Sequence, residues 1–250
     1  LNVVVRCDDT DILVTLLVHA TDAPVNVWMD VGKSGNNTRR YIDVTSLASH
    51  LGSDMTQALP GFHAFTGCDY TAAFFRKGKV RPLSLMEKGD FVTSFGMLGK
   101  TETANPAVVS QLESFVCNMY GKSRLVSANE ARYAVFCDKF SPKCQAQPMD
   151  KIKKVEPSIL PPSQPVLLQK IKRANLVASM WKGANEKTPC TWKPENNGWR
   201  LVDGKYEISW FETNQMPDSV SKHIDENTFD EEDDTVQEYC SSSDESDAGE

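Results

Sequence analysis

Two short acidic motifs, each beside an apolar segment, constrain the fold more than any other feature of the chain. Residues 2–6 are rich in valine, as buried parallel strands are, and run into Asp8-Asp9-Thr10-Asp11. Apolar residues at helical spacing follow, and Asp11 is expected to cap that helix. Gly67-Cys68-Asp69-Tyr70 is expected to lie at a second place where a strand or loop leads into a helix. Both motifs therefore lie where aspartate side chains can converge on a divalent metal.

Strand and helix patterns alternate in the first part of the chain, which indicates an α/β fold with a parallel sheet. Turn residues separate the second and third strands. The predicted elements are strands at 2–6, 25–29 and 40–44, a turn at 33–37, a helix capped by Thr45 or Ser46 that runs toward His50, and a helix over 57–65.

Three more helices are predicted after residue 95. Asn105-Pro106 provides an N-cap and a proline at the first helical position, and Ser127-Ala128-Asn129-Glu130 is a capping box. A segment rich in proline and lysine, residues 141–164, should be a linker between helices over 131–140 and 165–182. The helix after Asn105 should bury one stripe of side chains, formed by Val109, Leu112, Phe115, Val116 and Met119.

A small β-hairpin is the clearest local prediction. Asp203-Gly204 is a two-residue turn signal between alternating segments. It would pair Leu201 with Tyr206 and Trp199 with Ile208 on one face, and Arg200 with Glu207 on the other. Four of the five tryptophans lie between 181 and 210, either as a small aromatic core or as a platform on which nucleic-acid bases stack, with Trp199 and Trp210 as the candidate residues.

Charge is divided unevenly along the chain. Of the 34 acidic residues, 13 lie in 217–250, together with one of the 27 basic residues; residues 1–216 therefore carry 21 acids and 26 bases, a net charge of +5. The segment 218–250 is expected to be disordered, and a basic protein is its candidate partner. The mildly basic remainder suits a nucleic-acid partner, although such a charge is also ordinary for a protein of this length.

The seven cysteines show no regular spacing, which favours reduced thiols in an intracellular protein. A zinc site at Cys137 and Cys144 is the alternative, but no further ligand completes it. No apolar run approaches the roughly 18 residues that span a bilayer, so no membrane partner is expected. The chain opens in what looks like the middle of a strand, and we expect a fragment of a longer protein.

Carboxylates held close together repel each other and lose hydration, and Mg²⁺ or Mn²⁺ relieves both costs. Gly67-Cys68-Asp69-Tyr70 together with Asp8-Asp9-Thr10-Asp11 resembles the acidic site of PIN-like, flap-endonuclease-type nucleases over roughly residues 1–95. The resemblance implies that Asp9, Asp11 and Asp69 are catalytic metal ligands. The string from His63 to Asp69, with Gly198-Trp199, also resembles mobile-element-derived proteins of fishes and aquatic invertebrates over roughly 1–220.

The sequence departs from the nuclease pattern in two places. The upstream acids of that family, an aspartate and a glutamate pair, have no counterpart because the chain begins too late. The glycine-rich helix-hairpin-helix that follows the family motif is replaced by residues 76–81, which contain a single glycine. Lys77, Lys79 and Arg81 in this stretch are expected to contact phosphates.

Simpler roles for the same residues stay open. Asp11 could act only as a helix cap, and Asp69 only as a loop residue with a structural hydrogen bond. His63 could be a general base, but a hydrogen-bonded helix histidine is the commoner case. Cys68 could be a nucleophile beside it or apolar filler at the junction.

The sequence thus predicts a partial PIN-like α/β domain followed by helices, a tryptophan-rich hairpin and an acidic tail. The expected function is a metal-dependent nuclease or an inactive remnant of one, in the nucleus because of its polynucleotide substrate. The alternative is a non-catalytic nucleic-acid-binding or scaffold protein of mobile-element origin. The expected segments are 1–95, 96–140, 141–164, 165–217 and 218–250.

Overall fold

Eight α-helices and five β-strands form the part of the chain that the computed structural model describes. All of the described residues belong to one compact unit. The described residues are 1–33, 35, 38–140, 156–188 and 190–212. The predicted acidic tail, most of the predicted linker and Cys144 lie outside them.

The helices and strands follow the predicted order, with two short helices, Val80–Lys88 and Val92–Met97, that were not predicted. The helices are α1 (Thr10–His19), α2 (Val44–Leu51), α3 (Ser53–Thr66), α4 (Val80–Lys88), α5 (Val92–Met97), α6 (Pro106–Met119), α7 (Ala128–Phe140) and α8 (Gln164–Lys182). The strands are β1 (Asn2–Arg6), β2 (Asn26–Val31), β3 (Arg40–Asp43), β4 (Trp199–Val202) and β5 (Lys205–Ile208).

The first sheet has the order β1-β2-β3 and mixed strand directions. Strand β2 is parallel to β1, because α1 provides the crossover between them, but β3 is antiparallel to β2. The predicted parallel sheet is therefore wrong for β3. Residues 32–39 form too short a connection for a crossover, so the chain can only reverse direction there.

The prediction that β1 is buried is also wrong. Val3 and Val4 are 40% and 55% exposed. Within the described sheet β1 lies at an edge and pairs only with β2, which leaves much of its surface uncovered.

Two predicted helix caps are displaced by a few residues. Asp9 caps α1, where its Oδ1 accepts from the backbone N–H of Asp11 at 2.9 Å, and Asp43 caps α2. In both cases the aspartate still has extended backbone while the residues after it are helical, as an N-cap requires. The caps at Asn105 and Ser127 are confirmed.

The main core contains helices from both halves of the chain. Phe65 of α3, Phe95 of α5, Phe115 of α6 and Ile171 of α8 are buried together. Helix α8 packs against α3, so it belongs to the main core although the sequence grouped it with the hairpin.

In the predicted buried stripe of α6, Val109 is only half-buried, whereas the neighbouring Val108 is buried. A smaller core joins the first sheet to α1 and α2. Helix α3 contacts α1 and α2 as well as α5 and α8, so it links the smaller core to the main core.

The hairpin has the predicted register. Trp199 pairs with Ile208, Arg200 with Glu207 and Leu201 with Tyr206. Both turn residues have positive φ, 49° at Asp203 and 75° at Gly204, as a tight hairpin turn requires. Trp199 packs against the main core, so the hairpin is attached to the body of the protein through this side chain.

Within the described part of the chain, every helix is too short or too polar to cross a bilayer.

Candidate metal centre

Asp9 and Asp11 lie at the carboxyl end of β1, where the chain enters α1. The backbone N–H of Cys7 donates to the carbonyl of Asp30 at 3.2 Å, so the segment leaving β1 stays beside the end of β2. Asp8 binds the same edge, because its Oδ1 accepts from the N–H of Gly32. Asp9 is exposed and Asp11 is half-buried. The strand end thus presents two adjacent carboxylates next to a helix N-terminus.

Asp69 comes from a tight turn after α3. Gly67 ends the helix with φ at +122°, and a Cβ atom built there would lie 2.7 Å from the Cα of Ala73. Only glycine avoids both the strained φ and this clash. Cys68 and Thr71 then form a β-bridge with N–O distances of 3.1 and 3.2 Å. Asp69 is exposed at the tip of this turn.

The three aspartates converge. One carboxylate oxygen from each of Asp9, Asp11 and Asp69 can be chosen so that all three lie within 4.8 Å of one another. Helix α3 packs against α1, and this contact brings the turn with Asp69 to the end of β1. The sequence predicted that these residues lie near each other, and the structure brings them together.

The donor set fits a hard divalent cation. Oδ1 of Asp9 accepts from the N–H of Asp11, and Oδ1 of Asp11 bonds to His63. Each carboxylate has a second oxygen that an ion can use, and carboxylate oxygens are the ligands that Mg²⁺ and Mn²⁺ prefer. Because Mg²⁺ keeps several waters in most protein sites, three carboxylates suffice for one ion.

His63 is a buried helix histidine that holds Asp11. Its Nε2 lies 2.7 Å from Oδ1 of Asp11, it is 6% exposed, and its ring centroid is 5.6 Å from that of Trp181. Burial lowers the pKa of His63, and the nearby ammonium of Lys79 lowers it further, while Asp11 acts in the opposite direction. Because a carboxylate oxygen accepts, Nε2 of His63 is the donor, and this bond fixes the orientation of the Asp11 carboxylate.

Cys68 contributes to the turn. Its Sγ lies 3.3 Å from the hydroxyl of Thr71, and its half-buried side chain packs against the main core. These contacts suit the role of apolar filler at the junction.

The three residues predicted to contact phosphates have different environments. Lys77 donates to the carbonyl of Met119 at 3.2 Å and lies 4.3 Å from the ring centroid of Tyr120. Lys79 donates to the carbonyl groups of His63 and Gly67. Burial lowers the pKa of both lysines. Arg81 is the exposed member of the three.

The two tryptophans proposed for base stacking also differ. Trp199 is half-buried against the main core, whereas Trp210 is 50% exposed. The guanidinium of Arg173 lies 5.7 Å from the ring centroid of Trp210. Arg173 itself is buried and donates to the carbonyls of Gly198 and Ser209 at 3.0 and 2.7 Å.

An ion-pair cluster beside the acidic site was not predicted. Asp30 of β2 is 4% exposed and accepts from Arg6 at 2.9 Å and from Arg39 at 2.8 Å. The hydrogen bond from Arg39 lowers the pKa of Asp30 most, with Arg6 adding to it. The strand register is the signal that could have revealed this pair, because Arg6 lies opposite Asp30.

Lys170 was also missed. It is 6% exposed on α8 and donates to the carbonyl of Ala72. Its neighbours along the sequence are a mixture of apolar and basic residues, which does not distinguish it from the solvated lysines of an amphipathic helix.

Comparison with models of known protein families, with curated proteins and with solved structures finds no match to this chain. Its function is therefore inferred from the geometry and chemistry of its own residues.

Proposed function

We propose that this chain is a metal-dependent nuclease-like protein that cleaves phosphodiester bonds in nucleic acid, with Asp9, Asp11 and Asp69 as ligands of Mg²⁺ or Mn²⁺. The observation that carries the proposal is the convergence of three carboxylates from two separate segments within 4.8 Å. Three negative charges at this separation repel one another, and a divalent cation offsets that repulsion. The PIN-like, flap-endonuclease-type resemblance of the two motifs agrees with this chemistry.

The chain's own residues bind and orient the proposed ion. A bound divalent cation supplies Lewis-acid stabilisation of the charge that develops on a phosphodiester oxygen. Asp9 reaches the site from the helix cap, Asp11 is oriented by His63, and Asp69 is delivered by the turn after Gly67. Hydrogen bonds to a ligating carboxylate, such as the one from His63, fix the ligand's orientation and support metal affinity.

Two features support a polynucleotide as the substrate class. Residues 1–216 carry a net charge of +5, and Arg81 is an exposed residue after the turn with Asp69. The ammonium groups of Lys77 and Lys79 bond to backbone carbonyls, so Arg81 is the better candidate for a phosphate contact. A nuclear location would follow from such a substrate.

Cleavage of labelled single-stranded and flap-containing DNA and RNA by the full chain in Mn²⁺ tests the proposal. We expect chelator to abolish cleavage and Asp69→Asn to reduce it by at least about 100-fold, because a catalytic metal supplies several kcal/mol of transition-state stabilisation. Asp22→Asn is the matched control, since it makes the same change at an exposed site after the opposite end of α1. Equal cleavage by Asp69→Asn and wild type would disprove the metal role.

A second candidate function is non-catalytic nucleic-acid binding through the hairpin region. The supporting observation is that Tyr206 and Trp210 are 52% and 50% exposed. Exposed aromatic rings can stack on bases without sequence preference. This function predicts binding of a single strand that persists in chelator and is lost in Trp210→Ala. Retention of the binding in that variant would eliminate it.

A further inference from the structure

The turn that carries Asp69 is anchored to the body of the protein at three places. Thr71 donates from its hydroxyl to the carbonyl of Ala64 in α3. The two other anchors are lysines, the half-buried Lys79 at the beginning of the turn and the buried Lys170 near its end. Asp69 lies between these anchors, at the exposed tip.

Lys79 holds the first end. Its ammonium donates to the carbonyl of Gly67, to the carbonyl of His63 at 3.1 Å and to the hydroxyl of Thr66 at 3.2 Å. These acceptors belong to the last turn of α3 and its C-cap, and the His63 carbonyl also accepts from the N–H of Gly67 at 3.2 Å. The lysine thus fixes the position at which the chain leaves the helix.

Lys170 holds the other end from α8. Its ammonium donates to the carbonyl of Ala72 and lies 4.5 Å from the ring centroid of Phe74. Burial of this cation is costly, and it lowers the pKa of Lys170 to about 7. An apolar side chain of similar volume would fill the same space without this cost. An apolar side chain could not bond to the Ala72 carbonyl, however, and this bond is what the ammonium adds to the turn.

We propose that Lys79 and Lys170 are positioning residues for Asp69, which hold both ends of its turn so that the carboxylate stays at the metal centre. This inference rests on the proposed function for its link to a metal, whereas the anchoring of the turn can be tested without any ion. It assigns Lys79 to the interior of the site and not to contact with nucleic acid.

Amide hydrogen exchange of the metal-free full chain tests the anchoring. In Lys170→Met, the amides of Cys68 and Thr71 should exchange about tenfold faster than in wild type, because the turn opens locally more often. The melting temperature should stay equal or rise, since a buried charge has been removed. Lys170→Arg, which keeps the cation and the donor, should retain the slow exchange.

Lys182→Met is the matched control. Lys182 lies on the same helix, is half-buried, and donates to the carbonyls of Gly96 and Leu98 at 2.8 and 2.7 Å, away from the turn. Its replacement removes the same charge but should leave the exchange of Cys68 and Thr71 unchanged. Unchanged exchange in Lys170→Met, or equal acceleration in Lys182→Met, would overturn the inference.

Titration with Mn²⁺ alone then tests the link to the metal. We expect Lys170→Met to bind Mn²⁺ about tenfold more weakly than wild type, because removal of a residue that orients a metal ligand typically weakens metal affinity by this factor or more. Lys182→Met should bind it as wild type does. If wild type binds no Mn²⁺, the proposed function fails while the exchange result still decides whether Lys170 anchors the turn. If wild type binds Mn²⁺ and Lys170→Met binds it equally well, the positioning role fails alone.

Discussion

At the scale of single residues, Gly67 determines where Asp69 lies. Its φ of +122° and the 2.7 Å approach of a Cβ atom to the Cα of Ala73 exclude a side chain. We expect Gly67→Ala to lower the free energy of unfolding by about 1–3 kcal/mol, the usual cost of a strained backbone conformation. It should also weaken Mn²⁺ binding, because relief of the clash displaces the turn.

Gly78→Ala is the control for that substitution. No atom lies within 4 Å of a Cβ built at Gly78, and its φ is not in the left-handed region. Its free energy of unfolding should change by less than about 0.5 kcal/mol, as is common for surface substitutions. Urea denaturation of both variants measures the difference, and equal effects would show that the clash at Gly67 is relieved without cost.

At the scale of elements, the hairpin illustrates how one strand joins the body of the protein. Trp199 packs against the main core, whereas Tyr206 on the partner strand is 52% exposed. We expect Trp199→Ala to lower the free energy of unfolding by about 2 kcal/mol or more, because a large contact with the core is lost. Tyr206→Ala should cost less than about 1 kcal/mol, the value of a cross-strand pair.

Both hairpin variants can be compared by chemical denaturation of the full chain with fluorescence and circular dichroism. We expect a single unfolding transition in both variants, with a midpoint that shifts to lower denaturant concentration more in Trp199→Ala than in Tyr206→Ala. A separate early transition for this variant would mean that the hairpin unfolds independently of the core.

At the scale of the whole molecule, buried lysines make stability depend on pH. The pKa of Lys170 falls from 10.5 to about 7 in the folded protein. Between these values the unfolded chain holds a proton that the folded protein lacks, so stability rises with pH by about 1.4 kcal/mol per unit for this group. Below pH 7 Lys170 is protonated in both the folded and the unfolded protein, and its contribution to the free energy of unfolding no longer changes with pH.

Lys170→Met should remove this dependence. From pH 7 to 8, the free energy of unfolding of wild type should rise relative to that of the variant, as measured by urea denaturation at each pH. Lys182, with a pKa lowered to about 8, adds a rise of the same sign above pH 8 in both proteins and therefore cancels in the comparison. A difference that stays constant over this range would show that Lys170 keeps its proton in the folded protein.

Local features were predictable because neighbouring residues determine them. The register of the hairpin follows from Asp203-Gly204 and from alternation along two short strands. The caps at Asn105 and Ser127 depend on residues within one helical turn. The caps at Asp9 and Asp43 were missed by a few residues because several candidate caps lie side by side in each segment.

The amino-acid sequence by itself determined most of the segments that become helices and strands, α4 and α5 excepted, and that aspartates stand at the junctions before α1 and after α3. Only the tertiary structure decided that their carboxylates meet, because packing of α3 against α1 sets that distance. It also decided that β3 runs antiparallel and that Lys77, Lys79 and Lys170 turn inward to backbone carbonyls. Such contacts join residues far apart in the chain, and local propensity carries no information about them.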